Sequence, residues 1–193
     1  MDFNKRSLSP LEADIILGMV EKDLATIDNP TARRWIGRGG KTVSRLLNSL
    51  QDKGWLERLG RGTFALIPPE RGPEALGDGN PLALAWASVS PAYIGWWNAA
   101  AFHHFTTQHP VQITVATTRA HRRRIISGEE VRYVALPSQK YFGFSDEVLY
   151  GRPLQVSDRE KTIIDCIDRP SLCGGYTELS RILWRGAQEL DWD

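Results

Sequence analysis

The chain has 193 residues, of which 41% are hydrophobic and 24% are charged, and its formal net charge is +1 at pH 7. This composition predicts a soluble protein with a packed core, and no apolar run in it is long enough to span a membrane. Residues 1–6 lack the apolar segment of a secretory signal, and two cysteines are too few for a disulfide framework, so we expect a cytoplasmic protein with reduced thiols.

Two helices are predicted in the first 40 residues. Ser9 is suited to cap a helix that has Pro10 in its first turn. Asn29 is suited to cap a second helix that has Pro30 at its first position. The glycine-rich run 37–40 ends this second helix.

A third helix and a hairpin complete this region. The helix, over residues 41–53, carries apolar residues at i, i+3, i+4 and i+7, and residues 55–67 then fold back around Gly60 and Gly62. A helix, a glycine turn, an amphipathic helix and a basic hairpin in this order are typical of a winged helix-turn-helix. We therefore predict a DNA-binding domain over residues 1–68.

Positive charge is concentrated in the same region. Residues 30–62 carry eight Lys and Arg against two Asp and Glu, which favours a focused phosphate-binding face. The polar side of the third helix suits a major groove, because Arg pairs with guanine and Asn with adenine. An ordinary solvated helix face is the alternative interpretation. Lys53 is expected to contact the DNA backbone. The predicted DNA-binding residues are Lys41, Thr42, Ser44, Arg45, Asn48, Arg58 and Arg61.

A run rich in proline and glycine indicates a domain boundary, with a linker over 69–81 and a mixed α/β domain over 82–193. Helices are predicted over 82–89 and 90–105, from residue 157, and from about residue 176. Strands are predicted over 111–117 and 132–136 and within 142–156. In this interpretation Ser90 caps the second of these helices, 111–117 is half-buried, and Ser157 with Glu160 forms a capping box. The predicted fold class is α+β, a winged helix-turn-helix followed by a mixed α/β domain.

A second basic cluster follows the 111–117 strand. It consists of Arg119, Arg122, Arg123 and Arg124. We interpret it as a contact for a partner or a phosphate group, and a solvated loop is an equal alternative.

Other reactive side chains in the second domain do not form a recognisable catalytic or metal site. His103, His104 and His109 have no acidic or thiol neighbour that would complete a metal site. Cys166 and Cys173 are expected to be buried thiols. The acidic residues from Asp158 onward suit a helix start, and Lys161 with Asp165 is a routine i, i+4 helix pair. We therefore predict no enzyme, no cofactor and no metal. Five aromatic residues from Tyr93 to Phe105 are expected to lie mainly in the core.

The second domain resembles the AbiEi-type antitoxins of bacterial abortive-infection toxin–antitoxin systems. The resemblance rests on the segment from Ser90 to Ala100 with the Phe102-His103 pair, on Val115 to Thr118, and above all on Val156 to Cys166 with Arg169-Pro170 and Cys173 to Gly175. It implies that the first domain binds inverted repeats in its own promoter and represses the operon. Because one such domain covers a short site, we expect two copies on the DNA. It also implies that the second domain counteracts a nucleotidyltransferase-like toxin, in many members without a stable complex.

Two other functions remain open from the sequence. The chain could be a one-component transcriptional regulator whose aromatic residues line a pocket for a small ligand. It could also be a nuclease that uses the acidic helix start near Glu160.

Overall fold

The computed structural model describes residues 7–60, 62–67, 80–150 and 152–190, which form seven α-helices and two β-sheets of an α+β protein. The chain divides into two compact units, residues 1–84 and residues 85–193. Most of the predicted linker, residues 69–79, lies outside the described part. No described helix is both long enough and apolar enough to cross a membrane.

The first unit contains three helices and a small sheet. The helices are α1 (Pro10–Glu21), α2 (Asn29–Ile36) and α3 (Gly40–Asp52), and the strands are β1 (Thr26–Asp28), β2 (Leu56–Gly60) and β3 (Thr63–Leu66). The sheet is antiparallel with β3 in the centre, paired with β1 on one side and β2 on the other. Side chains from all three helices and from the sheet form one core.

The ends of the first two helices follow capping chemistry. The Ser9 amide donates to Glu12 Oε2 over 2.7 Å, which confirms the predicted start of α1. The predicted cap of α2 is wrong by one residue. Asp28 is the cap and accepts from the Thr31 amide over 2.8 Å, whereas Asn29 is the first helical residue. Both residue types cap helices well, so their preferences do not distinguish adjacent positions.

The hairpin is attached to α2 as well as to α3. Ile27 in β1 lies opposite Phe64 in β3, so the strand that leads directly into α2 belongs to the same sheet as the hairpin. The Asn29 amide donates to the Gly62 carbonyl over 3.0 Å. An added Cβ at Gly62, where φ is +78°, would lie 2.9 Å from Asn29 Nδ2, so this close approach requires glycine.

The second unit is built on a six-stranded mixed sheet in the order β6-β7-β5-β4-β9-β8. Its strands are β4 (Ala92–Ile94), β5 (Ile113–Thr117), β6 (Arg124–Ile126), β7 (Glu129–Ala135), β8 (Phe144–Leu149) and β9 (Arg152–Ser157). β5 is parallel to β7 and β4 is parallel to β9, whereas the other neighbours are antiparallel. Its helices are α5 (Trp96–Phe102), α6 (Arg159–Asp168) and α7 (Tyr176–Gly186), and α4 (Pro81–Ala87) spans the division between the units.

The structure corrects the prediction of one helix over residues 90–105. Residues 92–94 form β4, which lies between β5 and β9, and α5 begins only at Trp96 with Gly95 as its cap. Every residue of β4 is buried. A strand that is covered on both faces has a continuous apolar sequence, which periodicity cannot distinguish from a buried helix.

Two further predictions in this unit are wrong in detail. β5 was expected to be half-buried, but all five of its residues are buried, because it is an inner strand. The cap of α6 is Asp158, which accepts from the Lys161 amide over 2.7 Å, and Ser157 is instead the last residue of β9.

Candidate nucleic-acid interface

Helix α3 separates its side chains into an apolar and a polar face. Val43, Leu47 and Leu50 are at most 1% exposed and pack in the core of the first unit. The opposite face presents the side chains that the sequence analysis assigned to DNA. These are Lys41, Thr42, Arg45 and Asn48, which are exposed, and Ser44, which is half-buried. The five residues therefore lie together on the outward side of one helix.

A groove runs between α2 and α3 beside this face. Its volume is about 670 Å³, and it is lined by Asn29, Pro30, Arg33, Arg34, Gly40 and Ser44. Arg33 and Arg34 are exposed, and Arg34 Nη2 donates to Thr31 Oγ1 over 3.0 Å. Asn29 Oδ1 is buried and accepts no hydrogen bond from the described residues.

The two groove arginines were missed among the predicted contacts. Both fall inside the basic stretch 30–62, but the helical periodicity of α3 singled out only residues of that helix. Arg33 and Arg34 were detectable in principle, because α2 precedes α3 by a glycine turn and the two helices must lie close together.

Of the two arginines predicted on the basic hairpin, Arg58 lies in the described part of the chain. Arg58 is exposed in β2, and its guanidinium lies 5.3 Å from the centre of the Phe64 ring. This contact holds the charged end of Arg58 against the apolar sheet while it remains accessible to an anion. Arg61, the other predicted DNA-binding residue of the hairpin, is outside the described residues.

Lys53 is used differently from the prediction. Its ammonium donates to Glu12 Oε2 over 2.7 Å, and Ser49 Oγ donates to the other oxygen of the same carboxylate over 2.7 Å. Burial of Glu12 opposes ionisation, but hydrogen bonds from Lys53, Ser9 and Ser49 outweigh it and lower the pKa from 4.5 to about 2. Lys53 therefore joins α3 to α1 in a structural ion pair, so the expected contact with a DNA backbone is not supported.

In the second unit, the four arginines of the basic cluster have different surroundings. Arg123 Nη1 lies 2.7 Å from Glu130 Oε1, and Arg124 is half-buried with its guanidinium 5.5 Å from the Tyr133 ring. Arg119 and Arg122 are exposed and form no salt bridge with any residue that the structure describes. Of the four predicted contact residues, Arg119 and Arg122 are therefore the two that are exposed and that form no salt bridge within the described ranges.

A buried polar cluster lies elsewhere in this unit. Lys161 and Asp165 are 2% and 3% exposed and form an ion pair, and Tyr93 Oη donates to Asp165 Oδ2 over 3.0 Å. Burial raises the pKa of Asp165, and the hydrogen bond from Lys161 opposes this change. The predicted i, i+4 helix pair is therefore present, but it is buried in the core, and the hydrogen bond from Tyr93 joins it to β4.

The other candidate residues are the two cysteines, the possible metal ligands and the aromatic side chains of the second unit. Cys166 and Cys173 are free thiols with no exposed surface, and the hydrogen bond with the Cys173 thiol, together with burial, raises the pKa of Cys166. Within the described ranges, no three His, Cys, Asp or Glu side chains are grouped to hold a metal ion. Tyr93, Trp96 and Phe105 are at most 1% exposed in the core, so they do not line an open ligand pocket.

Comparison with known proteins shows a likeness of fold. The chain is similar to the solved structure of the RV2827C protein from Mycobacterium tuberculosis, with a TM-score of 0.57 and 16% sequence identity. The superposition covers 95% of this chain and 77% of the other one. At this identity the likeness concerns the fold alone. No protein-family model and no curated protein matches the sequence.

Proposed function

We propose that the chain is a DNA-binding antitoxin that represses its own toxin–antitoxin operon. In this proposal the first unit is a winged helix-turn-helix, with α2 and α3 as the helix-turn-helix and the β2–β3 hairpin as the wing. The second unit counteracts a nucleotidyltransferase-like toxin. The DNA-binding part rests on one observation above all, the exposed polar face of α3 beside a groove that carries two arginines.

Each group on the proposed surface has a role that its chemistry suits. Arg45 and Asn48 on the outward side of α3 read bases, because Arg pairs with guanine and Asn with adenine in a major groove. Arg33 and Arg34 lie across the groove from α3, where they hold phosphates of the DNA backbone and set the register. Arg58 on the hairpin provides a further backbone contact.

The remaining α3 residues support this arrangement. Lys41 and Thr42 lie in the first turn of α3, near the end at which recognition helices contact base edges. Ser44 lies in the groove and is suited to a phosphate or a base. Arg61 stays a predicted contact of the wing.

The operon and the toxin enter through the resemblance to AbiEi-type antitoxins. A single domain of this size covers a short site, so two copies on an inverted repeat are expected. The residues that carry the resemblance include Lys161 and Asp165, which form the buried ion pair of the second unit. In this chain those two residues are suited to maintain the fold of the proposed antitoxin domain, and the toxin contacts have to be made by other, exposed residues.

The DNA-binding part is tested with variants of the full chain on the DNA upstream of its reading frame. Arg45→Ala is expected to weaken specific binding by about 1–3 kcal/mol and to leave binding to unrelated DNA nearly unchanged. The double variant Arg33→Ala, Arg34→Ala is expected to weaken binding to both DNAs and to reduce the salt dependence. Arg185→Ala, an exposed arginine of α7, is the matched control.

The measurement is fluorescence anisotropy at two salt concentrations. Operator affinity that stays unchanged in both Arg45→Ala and the groove double variant would remove the proposed interface. The antitoxin part is tested separately by co-expression with the neighbouring gene product. If that gene encodes no nucleotidyltransferase-like toxin, or if co-expression does not relieve growth arrest, the antitoxin assignment is wrong and the DNA-binding proposal stands alone.

A further inference from the structure

The loop between β5 and β6, residues 118–123, begins at the edge of the sheet where β5 reaches its carboxyl end. β5 and β7 are parallel neighbours, with Thr117 opposite Ala135, so both strands end at this edge. Ligand-binding loops in sheets with parallel strands commonly follow the carboxyl ends of those strands. Within the described chain, no backbone amide of the loop donates to another backbone group, so the loop is not fixed in place by its own main chain.

The loop carries positive charge that its surroundings do not neutralise. Arg119 and Arg122 are exposed and have no carboxylate partner in the described ranges, whereas the next arginine, Arg123, is paired with Glu130. The two exposed guanidinium groups are three residues apart on one short loop. Such groups present several N–H donors in a planar arrangement that matches the oxygens of a phosphate group.

Two buried polar atoms near the start of the loop lack a hydrogen-bond partner among the described residues. They are Thr117 Oγ1 and His121 Nε2, and Thr117 has no exposed surface at all. Since buried polar groups nearly always have a partner, two orphaned ones within five residues need an explanation. Both atoms could donate to an anionic oxygen.

The fold brings these two atoms to the same part of the molecule. Tyr133 and Ala135 are two residues apart in β7 and therefore lie on the same face of the sheet. Ala135 is paired with Thr117, so Thr117 and Tyr133 share this face. The His121 ring packs on Tyr133 with 5.5 Å between ring centres. Burial and the charges of Arg124 and Arg119 lower the pKa of His121, so at pH 7 its ring is neutral and carries one N–H donor.

We propose that Thr117, Arg119, His121 and Arg122 form a phosphate-binding site in the second unit, separate from the surface on α3. The two arginines hold the anion at the surface. The Thr117 hydroxyl and the His121 imidazole donate to it once the loop shifts to admit it. The ligand chemistry is a phosphate group, carried either by a small phosphorylated molecule or by inorganic phosphate itself.

The test titrates the full chain with inorganic phosphate at constant ionic strength, followed by the NMR shifts of the histidine rings and by calorimetry. Arg122→Ala and Arg119→Ala are each expected to weaken binding at least fivefold, and Arg185→Ala, which removes the same charge on α7, is expected to leave it unchanged. Equal weakening by all three variants would mean that only net charge matters, and the proposal would be wrong.

Thr117→Val distinguishes a built site from a basic surface. The two side chains are nearly the same size, and the hydroxyl that is lost has no partner, so the melting temperature is expected to stay the same or to rise. Phosphate binding is expected to weaken at least threefold. Unchanged binding in Thr117→Val, or no saturable binding of phosphate by the original chain, would overturn the proposal.

A second arm identifies the source of the phosphate. Adenosine monophosphate and a small sugar phosphate are titrated in the same way, and tighter binding than that of inorganic phosphate supports a phosphorylated small molecule. Equal or weaker binding assigns the site to inorganic phosphate. All titrations are repeated in Arg45→Ala, which lies in the other unit, so loss of operator binding and loss of phosphate binding are separate outcomes.

Discussion

Replacing Lys53 with Met tests whether the carboxylate of Glu12 fixes α1 against α3. Methionine keeps most of the apolar stem of lysine, so the change removes the ammonium and retains the packing. The carboxylate then stays in a position that is 2% exposed, and Ser9 and Ser49 are its remaining donors. Loss of one partner from a buried charge is strongly destabilising, because the remaining charge is not compensated.

The magnitude follows from the pKa of Glu12. Lowering this pKa from 4.5 to about 2 corresponds to about 3 kcal/mol of stability at pH 7. Three donors share this effect, and the Lys53 side chain is itself 29% exposed. We therefore expect Lys53→Met to lower the free energy of unfolding of the first unit by about 2 kcal/mol at pH 7.

The effect depends on pH with a defined sign. The pKa of Glu12 is lower in the folded than in the unfolded state, so its contribution is complete above about pH 5 and is lost as the pH falls toward 2. At pH 4 the unfolded state has already bound protons, and the contribution is smaller by about 0.8 kcal/mol. The Lys53→Met variant lacks most of this contribution. The difference in the free energy of unfolding between the original chain and the variant should therefore become smaller from pH 7 to pH 4.

The assay is urea unfolding at both pH values, followed by pulsed hydrogen exchange of peptides from α1 and α3. Lys41→Met is the matched control, because Lys41 is exposed on the same helix and its replacement should change stability by less than about 0.5 kcal/mol. Identical unfolding midpoints for Lys53→Met and Lys41→Met at pH 7 would refute the reasoning. If the difference in unfolding free energy between the original chain and Lys53→Met stays constant down to pH 4, the pH-dependent stability does not come from Glu12.

Two further predictions concern the second unit, and both are measured by thermal and urea unfolding. Gly143→Ala should cost about 3 kcal/mol, because φ is +69° and the added Cβ would lie 2.8 Å from Lys161 Cβ. Gly128→Ala, where φ is +82° and the space is open, should cost only about 1 kcal/mol, and equal costs would contradict the clash. Tyr93→Phe removes the hydroxyl bound to Asp165 and should cost about 1.5–3 kcal/mol, whereas a loss below about 0.5 kcal/mol would show that this hydrogen bond contributes little.

The elements that the sequence predicted well are those with local causes. Helix α3 has a 3.6-residue apolar period, and the hairpin after it follows from glycines that permit a tight turn. The exposed face of α3 could be listed correctly for the same reason, since one buried stripe determines the opposite side of a helix.

Elements whose surroundings decide their conformation were not predictable. Residues 92–94 are apolar in a manner compatible with a helix, and only the neighbours β5 and β9 make them a strand. The i, i+4 spacing of Lys161 and Asp165 is the same for an exposed and a buried pair, so sequence alone could not place it in the core. Lys53 and Glu12 are 41 residues apart, and no local pattern relates them.

The attachment of the hairpin to α2 has a consequence for the energetics of the proposed DNA binding. Because β3 pairs with β1 and the Gly62 carbonyl accepts from the Asn29 amide, backbone hydrogen bonds join β3 to the strand and residue that lead into α2. A strand that is already paired in the free protein has less conformational freedom to lose than an unpaired one, so the proposed binding to DNA would spend less of its interaction energy on ordering β3. Calorimetry of the proposed binding to DNA should accordingly give a heat-capacity change that is set by the contact area, without an added contribution from folding of β3.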